Sequence, residues 1–508
     1  MKTNLKYSVG VILLLIAAMS QPIWAQSVTP ARAAVVHASP EEVKKLQEAV
    51  EAAPDNPAAH KAYIKAVGVN DPMLVSQYKK WMEKYPQNIM IPFAIGEAFY
   101  NQEQPQAKEY LLKVAEMDPK MAKVWYMLSI DADRWGQKSM STEYMKKASL
   151  ADPADPAYAF YYTMTFENGD HELYKQKIFE LAKRYPENER GAQGLYWLAE
   201  RSTNNEDKIK YFEQLRALYP PKKFNWSASG MEGLWAAYLE TDPAKALSLV
   251  NEMNDDKLWK SLRALSENIV EERKLAENKD YKGAITLLAQ TKLPRYPDVS
   301  DFYYQEQASL HEKSGDVKGA YDSLAVKFAK TPTEKLLAST QQYGKKLGKN
   351  NSQIQQDIQN IRASTAVAAY PFDLGMYTSK SNLSLKDLKG KVVLLTFWFP
   401  GCGPCRGEFP HFQKVMDKYK GQDVVYVGIN VSPEQDPYVI PFMENTKYSF
   451  IPLRGTSEFA AKSFGVRGEP ENFLIDQNGN IVFKNFRVEG NNEHSLEMMI
   501  TSLLKKGS

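Results

Sequence analysis

Lys391-Val392-Val393-Leu394-Leu395-Thr396-Phe397-Trp398-Phe399-Pro400-Gly401-Cys402-Gly403-Pro404-Cys405 is the stretch that decides the reading of this chain. The run from Lys391 to Phe399 is almost continuously apolar, as expected of a central strand buried on both faces. Pro400-Gly401 breaks it, and a helical pattern follows the second cysteine to about Tyr419. The order strand, turn, helix puts Cys402 at a helix N-terminus. There the unpaired N–H groups and the helix dipole favour a thiolate over a thiol. Cys405, one turn on, is expected to face inward. Pro404 is tolerated because the first helical turn has no N–H to lose.

These are the only two cysteines among 508 residues. A zinc site needs four ligands, and no second Cys pair or suitably spaced His accompanies them, so no metal and no cofactor is expected. A structural staple closing so short a loop contributes only about 2 kcal/mol. A peroxidatic cysteine would call for a distant resolving partner. Thiol–disulfide exchange is the chemistry that two adjacent thiols serve best.

Upstream the pattern is different. From about residue 40 to 362 apolar residues recur three and four apart, as in Glu41 to Ala53, Val75 to Lys84 and Ala107 to Met117, the mark of amphipathic helices. Pro54, Pro86, Pro119, Pro153, Pro186 and Pro220 punctuate them at intervals of 32, 33, 34, 33 and 34 residues. A period near ~34 indicates a helix–turn–helix solenoid, and this region resembles tetratricopeptide repeats. Trp125, Leu128, Gly136 and Ala148 fall at the expected positions, as do Tyr304, Ala308, Gly315, Ala320 and Leu324. Gly and Ala are expected to let paired helices approach closely. Residues 221 to 300 fit poorly. Trp125, Trp135, Tyr158 and Tyr161 read as inter-helix packing, and a concave surface of such helices is expected to hold a partner protein or peptide.

The first 25 residues read as a cleaved signal peptide: Lys2 and Lys6, an apolar run from Val9 to Met19, then Ile23-Trp24-Ala25. That run is 11 residues long, short of the ~20 that span a bilayer; an uncleaved anchor is the alternative. The expected organisation is a signal peptide at 1–25, a helical-repeat domain at 26–362 and an α/β domain at 366–508. The formal net charge is +3, which falls to +1 without the two leader lysines. A nucleic-acid partner is not expected at that balance.

Residues 371 to 508 resemble the TlpA/ResA branch of the thioredoxin superfamily. The matching residues are Leu385-Lys386-Asp387-Leu388 with Gly390-Lys391, then Phe397-Trp398, the Cys-Gly-Pro-Cys and Glu408-Phe409-Pro410. Phe464-Gly465-Val466 leading to Pro470, and Phe473-Leu474-Ile475-Asp476 entering the Gln477-Asn478-Gly479-Asn480 turn, complete the match. The resemblance implies a thioredoxin-like α/β fold for this part, so that with the helical repeats before it the chain is expected to be multidomain, an all-α solenoid followed by a thioredoxin-like α/β fold. It makes Cys402 the attacking thiol, Cys405 the resolving thiol and Glu408 an acidic residue near them. It makes Pro470 a cis-proline and puts Glu469, Pro470 and Trp398 at the substrate. Gly401 departs from the tryptophan usual before the first cysteine, Glu471 from the usual threonine, and Thr396 from the aspartate that thioredoxins proper bury. The expected function is an exported, periplasmic reductase of protein disulfides, recharged by a membrane electron donor, with cytochrome c maturation or repair of mispaired disulfides as candidate roles. Oxidase or isomerase action shares the same residues. A binding protein with the α/β part as docking module is the rival reading.

Overall fold

The computed structural model describes residues 38–167, 169–253 and 256–504; the signal-segment reading of residues 1–25 lies outside these. From Pro40 to Thr365 the described chain forms nineteen helices joined by turns and loops, with no strand among its described residues. Each helix packs on the next, and alternate helices such as Glu189–Glu200 and Asn225–Thr241 also touch. The residues that start helices do so for local reasons. Asn56, Asp71 and Asp155 accept backbone N–H bonds as N-caps, each followed by Pro at the first helical position.

The six periodic prolines each stand just past the last residue of a helix, after Ala53, Tyr85, Asp118, Asp152, Tyr185 and Tyr219. Lacking an N–H, proline cannot extend a helix, so the spacing of the prolines is the spacing of helix ends. The two repeat glycines act otherwise than the close-approach expectation. Gly136 (φ +72°) and Gly315 (φ +86°) have left-handed backbone in the turns between paired helices. Close approach is served by Ala148, Ala308 and Ala320, none of which retains exposed surface. Residues 221–300, irregular in sequence, carry the same stacking with helices of unequal length, among them Lys257–Glu277.

The chain then forms strands β1 (Val367–Ala368), β2 (Asp373–Gly375), β3 (Asn382–Ser384), β4 (Val392–Trp398), β5 (Val424–Asn430), β6 (Ile451–Arg454), β7 (Glu471–Ile475) and β8 (Asn480–Lys484). Six of them make one mixed sheet in the order β1-β8-β7-β4-β5-β6, with β2–β3 a separate hairpin. β4 is central, parallel to β5 and antiparallel to β7, and every residue of it is buried. Its side chains alternate between two cores. Val392, Leu394 and Trp398 join the core under the helices Gly403–Met416 and Glu493–Leu503, whereas Val393, Leu395 and Phe397 pack with Phe372, Phe459 and Phe473. Full burial of each such side chain stabilises by roughly 1.5–3 kcal/mol, which is why a continuous apolar run becomes the middle strand. The last residue of β4 delivers the chain to Cys402 at one end of the sheet.

Candidate active site

Cys402 is the N-cap of the helix Gly403–Met416, and its Sγ accepts the N–H of Cys405 at 3.2 Å. The two cysteines are joined as a disulfide, with Cα atoms 5.3 Å apart. The order of elements predicts an exposed first sulfur and a buried second one, but both residues are buried. Cys402 keeps 4% of its surface and shares a core cluster with Trp398, Cys405 and Phe409. Gly403, Pro404 and Gly407 remain exposed beside it and form the open face of the site.

Glu408 lies one turn beyond Cys405, on the same inward face, and is 5% exposed. Asn472 donates its side-chain N–H to one carboxylate oxygen at 3.0 Å, and the Val488 N–H donates to the other at 3.1 Å. Arg487 approaches to 3.8 Å from the solvent side. Burial pushes the carboxyl up to about 7; the bond from Asn472, the Arg487 charge and the Val488 N–H pull the other way without cancelling it. Glu408 is thus poised to exchange a proton near neutral pH.

Thr396 stands opposite Asn472 in the β4–β7 pairing, and its hydroxyl donates to the Asn472 side-chain carbonyl at 2.9 Å. Thr396, Asn472 and Glu408 therefore form a buried polar line beneath the disulfide-bearing helix. Asn472 was not among the residues picked from the sequence. Its signal was there: a lone amide heading the apolar Phe473-Leu474-Ile475, on a strand with no solvent face.

The other expected substrate residues separate. The Glu469–Pro470 bond is cis, and Pro470 enters β7, whose Glu471 pairs with Phe397 at the disulfide end of β4. Glu469 is half-buried there, and burial, with Glu471 adding to it, pushes its carboxyl up. Trp398 does not reach the surface. It is fully buried, with its ring against Phe409, Phe442 and Phe450, so it is a packing residue and not a substrate contact. His411, read from sequence as helix surface, is instead half-buried and bonded to Glu493 at 2.8 Å.

The loop before Cys402 is held by side chains that no sequence pattern marks. Arg406 donates to the Pro400 carbonyl and, at 2.9 Å, to Asp133 of the helical region. The Gly401 N–H donates to Gln435 at 2.6 Å. Nearby, Tyr438 donates to Asp131 at 2.7 Å and its ring packs edge-on against Trp135, with centroids 4.9 Å apart. Burial works to raise the Asp133 carboxyl, yet the charges of Arg406, Lys138 and Arg134 outweigh it and hold it below its ordinary range. Among the described residues no group of His, Cys, Asp or Glu is placed to hold a metal ion, and no helix is long and apolar enough to cross a membrane.

Comparison with known proteins finds the Redoxin family over residues 353–500. The thiol-disulfide oxidoreductase ResA of Bacillus subtilis is 34% identical over 105 residues, covering 21% of this chain and 58% of that protein. The ResA of Halalkalibacterium halodurans is 33% identical over 101 residues, covering 20% and 57%. The chain thus spans less than two thirds of the length of either relative. Among solved structures, a thioredoxin-family thiol:disulfide interchange protein from Chlorobium tepidum is 25% identical, with 28% of this chain and 97% of that one covered at a TM-score of 0.24. The C-terminal part of the chain, behind its long helical region, is a Redoxin domain with ResA-type thiol-disulfide oxidoreductases as relatives.

Proposed function

We propose that the protein is a thiol–disulfide oxidoreductase that reduces disulfides in other proteins. The observation that carries this reading is the Cys402–Cys405 pair capping the helix Gly403–Met416, with Glu408 buried one turn away and raised to about 7. In the reduced protein the Cys402 thiolate attacks one sulfur of the substrate disulfide. A mixed disulfide forms, and the other substrate sulfur leaves as a thiolate and takes up a proton. Cys405 then gives up its proton, with Glu408, buried one turn along the same helix, as the proposed acceptor, and attacks Cys402 Sγ. The second substrate thiol is released, and two electrons have passed from the dithiol to the substrate. Helix N–H groups aimed at Cys402 stabilise its thiolate as attacker and as leaving group.

Direction is a matter of potential. The Gly-Pro between the cysteines resembles reducing members of the superfamily, so the reading is a reductase. A reductase needs a reductant in turn, and a membrane electron donor is the proposed source. The leader-like segment at 1–25 supports export and a periplasmic or envelope location, where cytochrome c maturation or repair of mispaired disulfides would use this activity. The helical region is proposed to select the partner protein or peptide.

The test is exchange by the full chain. Chemically reduced protein should reduce a small disulfide peptide, and its equilibrium with a glutathione buffer should place the couple near about −270 mV, not near about −120 mV. An oxidising value would reverse the direction. A parent protein unable to exchange at all would remove the reading.

A further inference from the structure

We infer that the helical region forms one wall of the redox site, and that Glu103 is a positioning residue for the loop that carries Cys402. This rests on the exchange reaction proposed above.

Two straps hold Pro400-Gly401, the link between β4 and the attacking sulfur, and both are anchored on carboxylates of the helical region. The Gly401 N–H donates to the Gln435 side-chain oxygen at 2.6 Å, and the Gln435 amide donates in turn to Glu103 Oε2 at 2.6 Å. The other oxygen of Glu103 is paired with Arg134 at 3.1 Å, and the Arg134 side chain is only 6% exposed. On the opposite side Arg406 grips the Pro400 carbonyl while bonding Asp133 through Nε at 2.9 Å and through its terminal nitrogen at 2.8 Å. The loop's N–H and carbonyl are therefore held by Gln435 and Arg406 of its own domain, and both of these side chains are anchored on the helical region.

Steric fit says the same. A Cβ on residue 401 would lie 2.1 Å from Glu103 Oε2 and 2.7 Å from Glu103 Cδ. A side chain there would have to push the Glu103 carboxylate off Gln435, whose own Oε1 lies 3.0 Å from the same point, and so break the strap, which fits the glycine found where the resemblance leads one to expect tryptophan. Glu103 itself has φ +53°, a left-handed conformation that is uncommon for a non-glycine residue and persists where surrounding contacts over-determine it. Its backbone is pinned by the bond from Gln104 N–H to the Phe99 carbonyl at 2.9 Å. The adjoining contacts, Tyr438 on Asp131 and Asn445 on the Trp135 carbonyl at 2.8 Å, hold the two parts in register. The helical region thus does more than present a partner: it sets the backbone from which Cys402 attacks.

The test is a double-mutant cycle in the full-length protein, with Gly401→Ala, Glu103→Ala and the double variant. Two quantities are read: the rate at which each reduced protein reduces glutathione disulfide, and the Cys402–Cys405 equilibrium in a glutathione buffer. Gly401→Ala should slow exchange roughly ten-fold or more, and removing Glu103 as well should restore most of that loss, because the side chain then has room. Glu103→Ala alone should shift the dithiol/disulfide equilibrium at least about three-fold, and Glu103→Gln, which keeps an oxygen for Gln435 but turns an NH2 toward Arg134, should shift it less. Should Gly401→Ala not fold, the two Glu103 variants decide by their redox equilibria. Independent effects of the two sites together with a parent-like equilibrium in Glu103→Ala would overturn the inference. A parent inert toward glutathione disulfide would instead overturn the exchange reading beneath it.

Discussion

Replacing Glu408 by Gln tests the buried acid directly. Below a pH of about 4.5 the carboxyl is protonated in both folded and unfolded chains. As pH rises the unfolded chain ionises first, and the folded one follows only near 7, so the group contributes stability at low pH that is lost on the way to neutrality. Moving a carboxyl from 4.5 to about 7 corresponds to about 3 kcal/mol at ~1.4 kcal/mol per tenfold, of which about 2.5 falls between about pH 5 and about pH 8. Glutamine has no such titration. It can still accept from Asn472, and the Val488 N–H loses its partner at a pH-independent cost of about 1–3 kcal/mol. Glu408→Gln should therefore gain roughly 2.5 kcal/mol on the parent between about pH 5 and about pH 8. Urea unfolding at the two pH values measures this, followed by the fluorescence of buried Trp398 and its fellow tryptophans. The oxidised protein is used so that neither thiol titrates. A variant-minus-parent difference equal at both pH values would mean that Glu408 ionises as an ordinary carboxylate, and the proton-relay role would go with it.

Cys402→Ser should abolish exchange while Cys405→Ser accumulates a mixed disulfide at Cys402, seen by mass spectrometry; adducts at Cys405 in Cys402→Ser would reverse the two roles. Asn472→Ala removes the strongest bond holding Glu408 down, so its carboxyl should rise above about 7, and the acid limb of the exchange rate, where Glu408 must be ionised to accept the Cys405 proton, should move up in pH; an unmoved profile would detach Glu408 from turnover. Tyr438→Phe leaves buried Asp131 short of a donor and should cost about 1–3 kcal/mol in urea unfolding; an unchanged midpoint would make that contact incidental. Fragment 366–508, cut from the helices, would expose Tyr438 and lose Glu103 and Asp133, so its redox equilibrium should differ from that of the full chain. An identical equilibrium would argue for independent modules.

Legibility followed the range of the interactions. The buried strand β4, the helix behind the cysteines and the Asn-Gly turn between β7 and β8 are written in local residue order, because burial on both faces, an N-cap and a positive φ at Gly479 are each decided within a few residues. Glu408 was legible for the same reason, being one turn from Cys405. Asn472, Gln435 and Glu103 were not, since what matters about them is which residue they touch across 64, 34 and 332 positions of chain. Trp398 shows the converse error: a motif position marks a residue that recurs, but not which way its side chain points.

Periodic prolines, a run of apolar residues and two cysteines three apart determine on their own a succession of helices and a strand that leads to a redox pair. They act through backbone sterics and the period of burial, which need no distant partner. Only the tertiary structure decides that both cysteines are buried, that Glu408 is held near neutrality by burial and that Gly401 lies against the Glu103 carboxylate. Each of these depends on desolvation or on a side chain brought from far along the chain, and those energies exist only once the elements have packed together.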